Sequence, residues 1–196
     1  MRFVRLLRDG FSVYAENLTA FVLAMLCAAA GSIFIVTAPP LLFGLYSMGV
    51  KAAKGQAVEV KDLLDGFRYT LKSFAYVILV FILILAGTGA SYTIVKSLKL
   101  PATAALLIVA SASICWTTLI LFSLVYAVPS IVSKNRGVIE AVEESMRRVY
   151  WNFPTTLLLF VSLTAITVLI GWIPVLGPLV VIPYQVITYS KAALEL

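Results

Sequence analysis

The sequence predicts an all-α integral membrane protein: six transmembrane helices forming three hairpins, each preceded by an amphipathic helix at the cytoplasmic interface. Three observations carry that prediction. The 196 residues are 62% hydrophobic and 12% charged, against about half apolar and a quarter charged in soluble domains. The charges are segregated, so that the tracts 17–50, 73–95, 100–133 and 152–190 contain no Asp, Glu, Lys or Arg. Short amphipathic segments stand before three of the apolar stretches.

The first segment sets Phe3, Leu6, Leu7, Phe11 and Tyr14 at helical spacing, with charges on its other faces. It ends near Asn17, where the first apolar tract begins. A pass through the hydrocarbon core takes roughly 20 apolar residues, so 17–50 holds two passes. Pro39-Pro40 turns the chain between them. A second amphipathic segment follows with Val60, Leu63, Leu64 and Phe67. The tracts 73–95 and 100–133 supply the next two passes, joined by "KSLKLP" at 96–101. The third segment carries Val138, Val142, Met146 and Val149, and 152–190 holds the last two passes with "GWIPVLGP" at 171–178 as their turn.

Placing Arg2, Arg5 and Arg8 in the cytoplasm leaves only Lys96 and Lys99 among the basic residues on the far side. The positive-inside rule therefore predicts both termini in the cytoplasm of a multi-pass cell-membrane protein, plasma or inner. The start also has the outline of a secretory signal, with basic residues before an apolar run ending in small residues at 27–31. Asp9 and Glu16 within the basic stretch, and the even count of passes, argue against cleavage. Cys27 lacks the small neighbour that lipid attachment needs, and with Cys115 it is expected as a packed, reduced thiol.

The segments read as a threefold repeat over units of about 2–54, 58–134 and 138–191. "DGFSVYAENL" (9–18) aligns with "DGFRYTLKSF" (65–74) and with "ESMRRVYWNF" (144–153). Each has an acidic, a small and an apolar residue eight positions before Asn17, Ser73 or Asn152, which are expected as N-caps of the spans that follow. Each unit closes on a Tyr seven or eight residues before a Lys: Tyr46 and Lys54, Tyr126 and Lys134, Tyr184 and Lys191. Those tyrosines are expected near an interfacial aromatic belt. The three units would surround a pseudo-threefold axis, unlike the inverted repeats of many transporters. Cap-to-lysine lengths make the first and third hairpins short, with helices of about 17 residues or 26 Å, and the bilayer recessed at their turns.

The chemistry of catalysis is sparse. The chain has no His, and its spans hold no charge, which disfavours ion coupling and a voltage sensor. Two acidic groups, Glu59, Asp62 and Asp65 and then Glu140, Glu143 and Glu144, could bind a divalent ion with lipid phosphates, but they read better as solvated helix faces. Hydroxyls such as Ser91, Thr117, Thr164 and Thr167 read as helix-packing groups. The last span is interrupted by Pro174, Pro178 and Pro183 and carries the amide of Gln185, a candidate gate or cavity.

"GLYSMGVKAAKGQAVEVKDLLDGF" (44–67) and "VYAVPSIVSKNRGVIEAVEESMRRVYWNF" (125–153) resemble small polytopic membrane proteins of unknown function related to the membrane domain fused to glycerophosphodiester phosphodiesterases. The resemblance spans the middle of the chain and rests on its Gly/Pro positions, the basic-Gly steps, "DGF" and a late Asn. It implies a six-helix membrane domain without catalytic residues of its own. The soluble phosphodiesterase barrel has no counterpart in this sequence, so its hydrolysis is not implied.

The expected function is non-enzymatic engagement of lipids or another amphiphile. Arg2, Arg5, Arg8, Lys61, Arg68, Arg147 and Arg148 are the candidate contacts to anionic headgroups, at about 1 kcal/mol each near a charged leaflet. Two alternatives stand beside it: a transporter or channel for a small neutral or anionic solute, and a membrane anchor for a soluble partner. The expected partners are membrane lipids, with a homo-oligomer or membrane partner left open. No nucleic acid, metal or cofactor is expected.

Overall fold

The computed structural model describes residues 2–98, 101–173 and 176–196. Among them the chain is helical throughout, with no strand: α1 (Arg2–Glu16), α2 (Leu18–Gly31), α3 (Ala38–Ala53), α4 (Thr70–Ser97), α5 (Ala102–Ser123), α6 (Ala127–Lys134), α7 (Val138–Trp151), α8 (Phe153–Ile170) and α9 (Leu176–Glu195). Two 3-10 segments, Ile35–Thr37 and Val60–Tyr69, precede α3 and α4. Hydrocarbon offers no partner to a backbone amide, so each apolar tract closes its hydrogen bonds within itself.

Four helical runs among the described residues are long and apolar enough to cross a membrane: Ile35–Ala53, Val60–Ser97, Ala102–Lys134 and Phe153–Ile170. A fifth is the pair Phe3–Glu16 and Leu18–Gly31, bent by 82° at Asn17, if that pair counts as one span. The chain thus has the make-up of a membrane protein.

The breaks follow local chemistry. Prolines occupy the first turns of α3 and α8, where the missing N–H has no intrahelical partner to lose. Helix α3 ends at Gly55 with φ of 70°, and the amide of Gln56 reaches back to the Lys51 carbonyl at 3.0 Å, the glycine-terminated helix end. Asn135, with φ of 52°, ends α6. The turn between α8 and α9, with Pro174, falls partly outside the described residues.

Asn17 and Asn152 stand at the expected N-cap positions of α2 and α8, but neither side chain caps, and Ser73 is not at a helix start. Asn17 stands between α1 and α2, but its Nδ2 donates backward to the Val13 carbonyl at 2.9 Å. Asn152 does the same to Arg148 at 3.3 Å. Neither has the extended backbone from which a cap oxygen faces the next helix's amides, and the carbonyls ending the preceding helix are equally unpaired. Ser73 is inside α4, buried, with its Oγ donating to the Thr70 carbonyl at 2.8 Å.

The core centres on α9 and α3, with Met48, Ile187, Phe21, Tyr126, Leu159 and Leu163 fully enclosed. Gly49 of α3 lies directly against Val186 and Ser190 of α9. Tyr126 and Tyr184 belong to this core and not to a belt: Tyr126 shares a 3.0 Å hydrogen bond with Thr156 Oγ1, and Tyr184 Oη donates to the Leu7 carbonyl at 3.1 Å. Against that core stands the long hairpin α4–α5, held together by Trp116 Nε1 donating to the Leu83 carbonyl at 2.8 Å. Only 6% of its most apolar stretches is buried, against 56% for the run containing α3. That difference leaves the hairpin's aliphatic sides open to acyl chains.

Candidate functional site

The three amphipathic segments are fastened to the bundle in one way. Each carries a carboxylate that meets a lysine near the C-terminal end of another helix. Lys191 of α9 lies 3.0 Å from Asp9 of α1. Lys51 of α3 lies 2.7 Å from Asp62 and 2.9 Å from Asp65, both in the Val60–Tyr69 segment. Lys134 of α6 lies 2.6 Å from Glu144 of α7. The lysines of α3, α6 and α9 thus bind the Val60–Tyr69 segment, α7 and α1 in turn.

The residue after each of Asp9, Asp65 and Glu144 is small because that helix face touches backbone or a short side chain. A β-carbon at Gly10 would overlap Thr188, and one at Gly66 would overlap the Pro40 carbonyl and the Gly44 backbone. Ser145 instead uses its hydroxyl, donating to the Ser123 carbonyl at 2.8 Å and accepting from the Tyr126 amide at 3.1 Å.

Glu144 is the most enclosed of these acids, its side chain 6% exposed. Arg136 at 3.0 Å and Arg148 at 2.9 Å join Lys134 around it. Burial alone pushes its carboxyl upward, but the hydrogen bonds from Lys134 and Arg148 outweigh that cost and hold it at about 2.

These pairs sort the candidate headgroup contacts. Arg148 is corrected: it is half-buried, bound to Glu144, and donates through Nη1 to the Ala193 carbonyl, so it braces the bundle. Lys61 is exposed but held by Glu59 at 2.6 Å, and Arg68 is exposed beside Asp65 at 3.8 Å. Arg5, Arg8 and Arg147 are exposed and form neither ion pair nor hydrogen bond among the described residues. Arg2 opens α1, and its side chain lies outside the described residues. The expectation that Asp62 and Glu144 belong to solvated helix faces is corrected, since both are buried and ion-paired. Of the fastening lysines, Lys134 and Lys191 stand out in the sequence as closing landmarks, and Lys51, three residues before Lys54, does not.

The candidate gate is placed differently from expectation. Helix α9 runs unbroken through Pro183, and Pro178 falls in its first turn. Gln185 Nε2 donates to Thr167 Oγ1 at 2.6 Å and to the Leu163 carbonyl at 3.3 Å, tying α9 to α8. Pro183 itself is buried in the bundle.

Concave surfaces lie elsewhere. An apolar groove of about 480 Å³ runs between α1, α8 and α9, with Phe11, Ile166, Ile170, Val181 and Tyr184 in its walls and Arg8 at its border. A second apolar groove, about 380 Å³, lies between α4 and α5 beside Lys96. A small polar cup of about 230 Å³ holds Lys51, Lys54, Asp65 and Arg68. No family model, no curated protein and no solved structure matches the chain.

Proposed function

We propose that the chain is a six-pass plasma- or inner-membrane protein with both termini in the cytoplasm, and that it engages anionic lipids without catalysing a reaction. In this reading α2 and α9 complete the set of spans, and the three amphipathic segments are elbows lying along the cytoplasmic leaflet. The observation that carries it is the division of the basic residues. Asp9, Asp62, Asp65 and Glu144 of the elbows are bound by Lys191, Lys51 and Lys134, while Arg5, Arg8 and Arg147 face outward with no ion pair or hydrogen bond among the described residues. An uncompensated guanidinium on an amphipathic helix is drawn to an anionic headgroup.

The same pairing scheme supports reading the three units as a repeat, with each elbow docked on the preceding hairpin. The likeness to the membrane domain of glycerophosphodiester phosphodiesterases stays part of this proposal and lends it a non-catalytic precedent.

The test is retention of anionic lipid. The protein is purified from nanodiscs of mixed phosphatidylglycerol and phosphatidylcholine, and the lipid carried through detergent is counted by native mass spectrometry. Phosphatidylglycerol enriched over its bulk fraction, and reduced by the triple variant R5Q/R8Q/R147Q, is the expected result. Retention in the bulk ratio, indifferent to the variant, overturns the reading.

A further inference from the structure

We propose that the groove between α1, α8 and α9 is a site for one anionic phospholipid, its phosphate held by Arg5 and Arg8 and one acyl chain laid along α8 and α9. This inference rests on the lipid-engaging reading above and names where one lipid is held. The groove's volume of about 480 Å³ falls within the range of about 300–1,000 Å³ for small-molecule sites. Its walls are aliphatic and aromatic, drawn from three separate elements.

Beside it, on the outer face of α1, is a concavity of about 820 Å³ bordered by Arg5, Arg8, Asp9 and Ser12. Val4 and Arg8 border both, so the basic face and the apolar groove adjoin. Arg5 and Arg8 are three residues apart and share a helix face. The nearby acid, Asp9, is occupied by Lys191 at 3.0 Å, and Glu16, two turns beyond Arg8, accepts from Ser12 Oγ at 3.2 Å, so Arg5 and Arg8 have no ion pair among the described residues. Guanidinium binds phosphate through paired N–H donors, which gives orientation as well as attraction.

The division of labour follows from the solvent. An acyl chain is already in apolar surroundings in the bilayer, so the groove contributes position and shape, and discrimination between lipids falls to the arginines. The groove between α4 and α5 offers comparable apolar walls with a single lysine at its border. It serves as the internal comparison.

The experiment is photolabelling of the full chain in phosphatidylcholine nanodiscs. Each preparation contains a small fraction of either phosphatidylglycerol or phosphatidylcholine with a diazirine on its acyl chain, and adducts are mapped by peptide mass spectrometry. The expected result is labelling of α8 and α9 around Ile166, Ile170 and Val181 that is several-fold stronger with the phosphatidylglycerol probe. In R5Q/R8Q that excess falls to the phosphatidylcholine level, while labelling at Leu106 and Ile114 on the α4–α5 hairpin is unchanged. V180F, at the exposed wall of the groove, removes the α8–α9 adducts and leaves the hairpin adducts and the melting temperature unchanged. Equal labelling by the two probes, or an excess that persists in R5Q/R8Q, overturns the site. If anionic lipid is still retained in bulk when the groove shows no preference, the groove fails and the broader reading stands. Loss of both sinks the two together.

Discussion

Lys191 Nζ lies 3.0 Å from Asp9 Oδ2, joining residues 182 positions apart and fastening the last helix to the first. The same lysine-to-acid arrangement repeats between α3 and the Val60–Tyr69 segment and between α6 and α7. Helices that share an apolar solvent gain little from hydrophobic burial against one another, so polar ties and close contact carry their association.

The Lys191–Asp9 tie is partly exposed, with side chains 17% and 37% accessible. A cycle of K191M, D9N and the double variant is therefore expected to give a coupling of about 1 kcal/mol. Thermal unfolding in detergent measures it. A coupling near zero would show that the closure of the ring adds nothing to stability.

Gly66 and Gly89 make opposite predictions. A methyl group at Gly66 meets the Pro40 carbonyl and the Gly44 backbone, whereas one at Gly89 meets nothing within 4 Å. G66A should lower stability by about 1–3 kcal/mol through forced separation of α3 from its elbow. G89A, in the middle of α4, should be neutral or gain up to about 1 kcal/mol. Melting temperatures of the two variants side by side provide the check.

Glu144 sets an acid limit. Its folded carboxyl is held at about 2 against an ordinary 4.5, so the unfolded chain binds the proton more readily. Its contribution is complete above about 4.5 and is lost as pH falls toward about 2. E144Q should flatten this acid limb and, by stranding Lys134 and Arg148, cost about 3–5 kcal/mol at neutral pH. Stability against pH for both proteins tests the assignment.

Adjacent arginines should separate cleanly. R148Q removes two ties, to Glu144 and to the Ala193 carbonyl, and is expected to destabilise by about 2 kcal/mol. R147Q is expected to leave the melting temperature unchanged and to reduce retained phosphatidylglycerol. The reverse pattern would reassign both.

Gln185 is expected to act as a brace between α9 and α8. Q185L should lose about 0.6 kcal/mol of stability, the average for a hydrogen bond between membrane helices. Solute leak from proteoliposomes should be the same before and after the change. A leak opened or closed by Q185L would return the residue to the role of a gate.

Much of the helical layout was legible because its causes are local. Charge-free tracts, Pro39-Pro40 and the amphipathic spacing of Leu6, Leu63 and Val149 act through the backbone's need to pair its own amides. The sequence by itself determined where the chain is apolar, where it turns and which residues carry charge. Tertiary structure decided how those charges are used. That Asp9 meets Lys191 and that Arg148 turns inward to the Ala193 carbonyl while Arg147 stays outside depend on which helix faces come together. Those faces are chosen by close contacts such as Gly66 on Gly44 and Gly10 on Thr188. Such contacts join residues far apart in the chain, and the periodicity of a single segment cannot encode its partner.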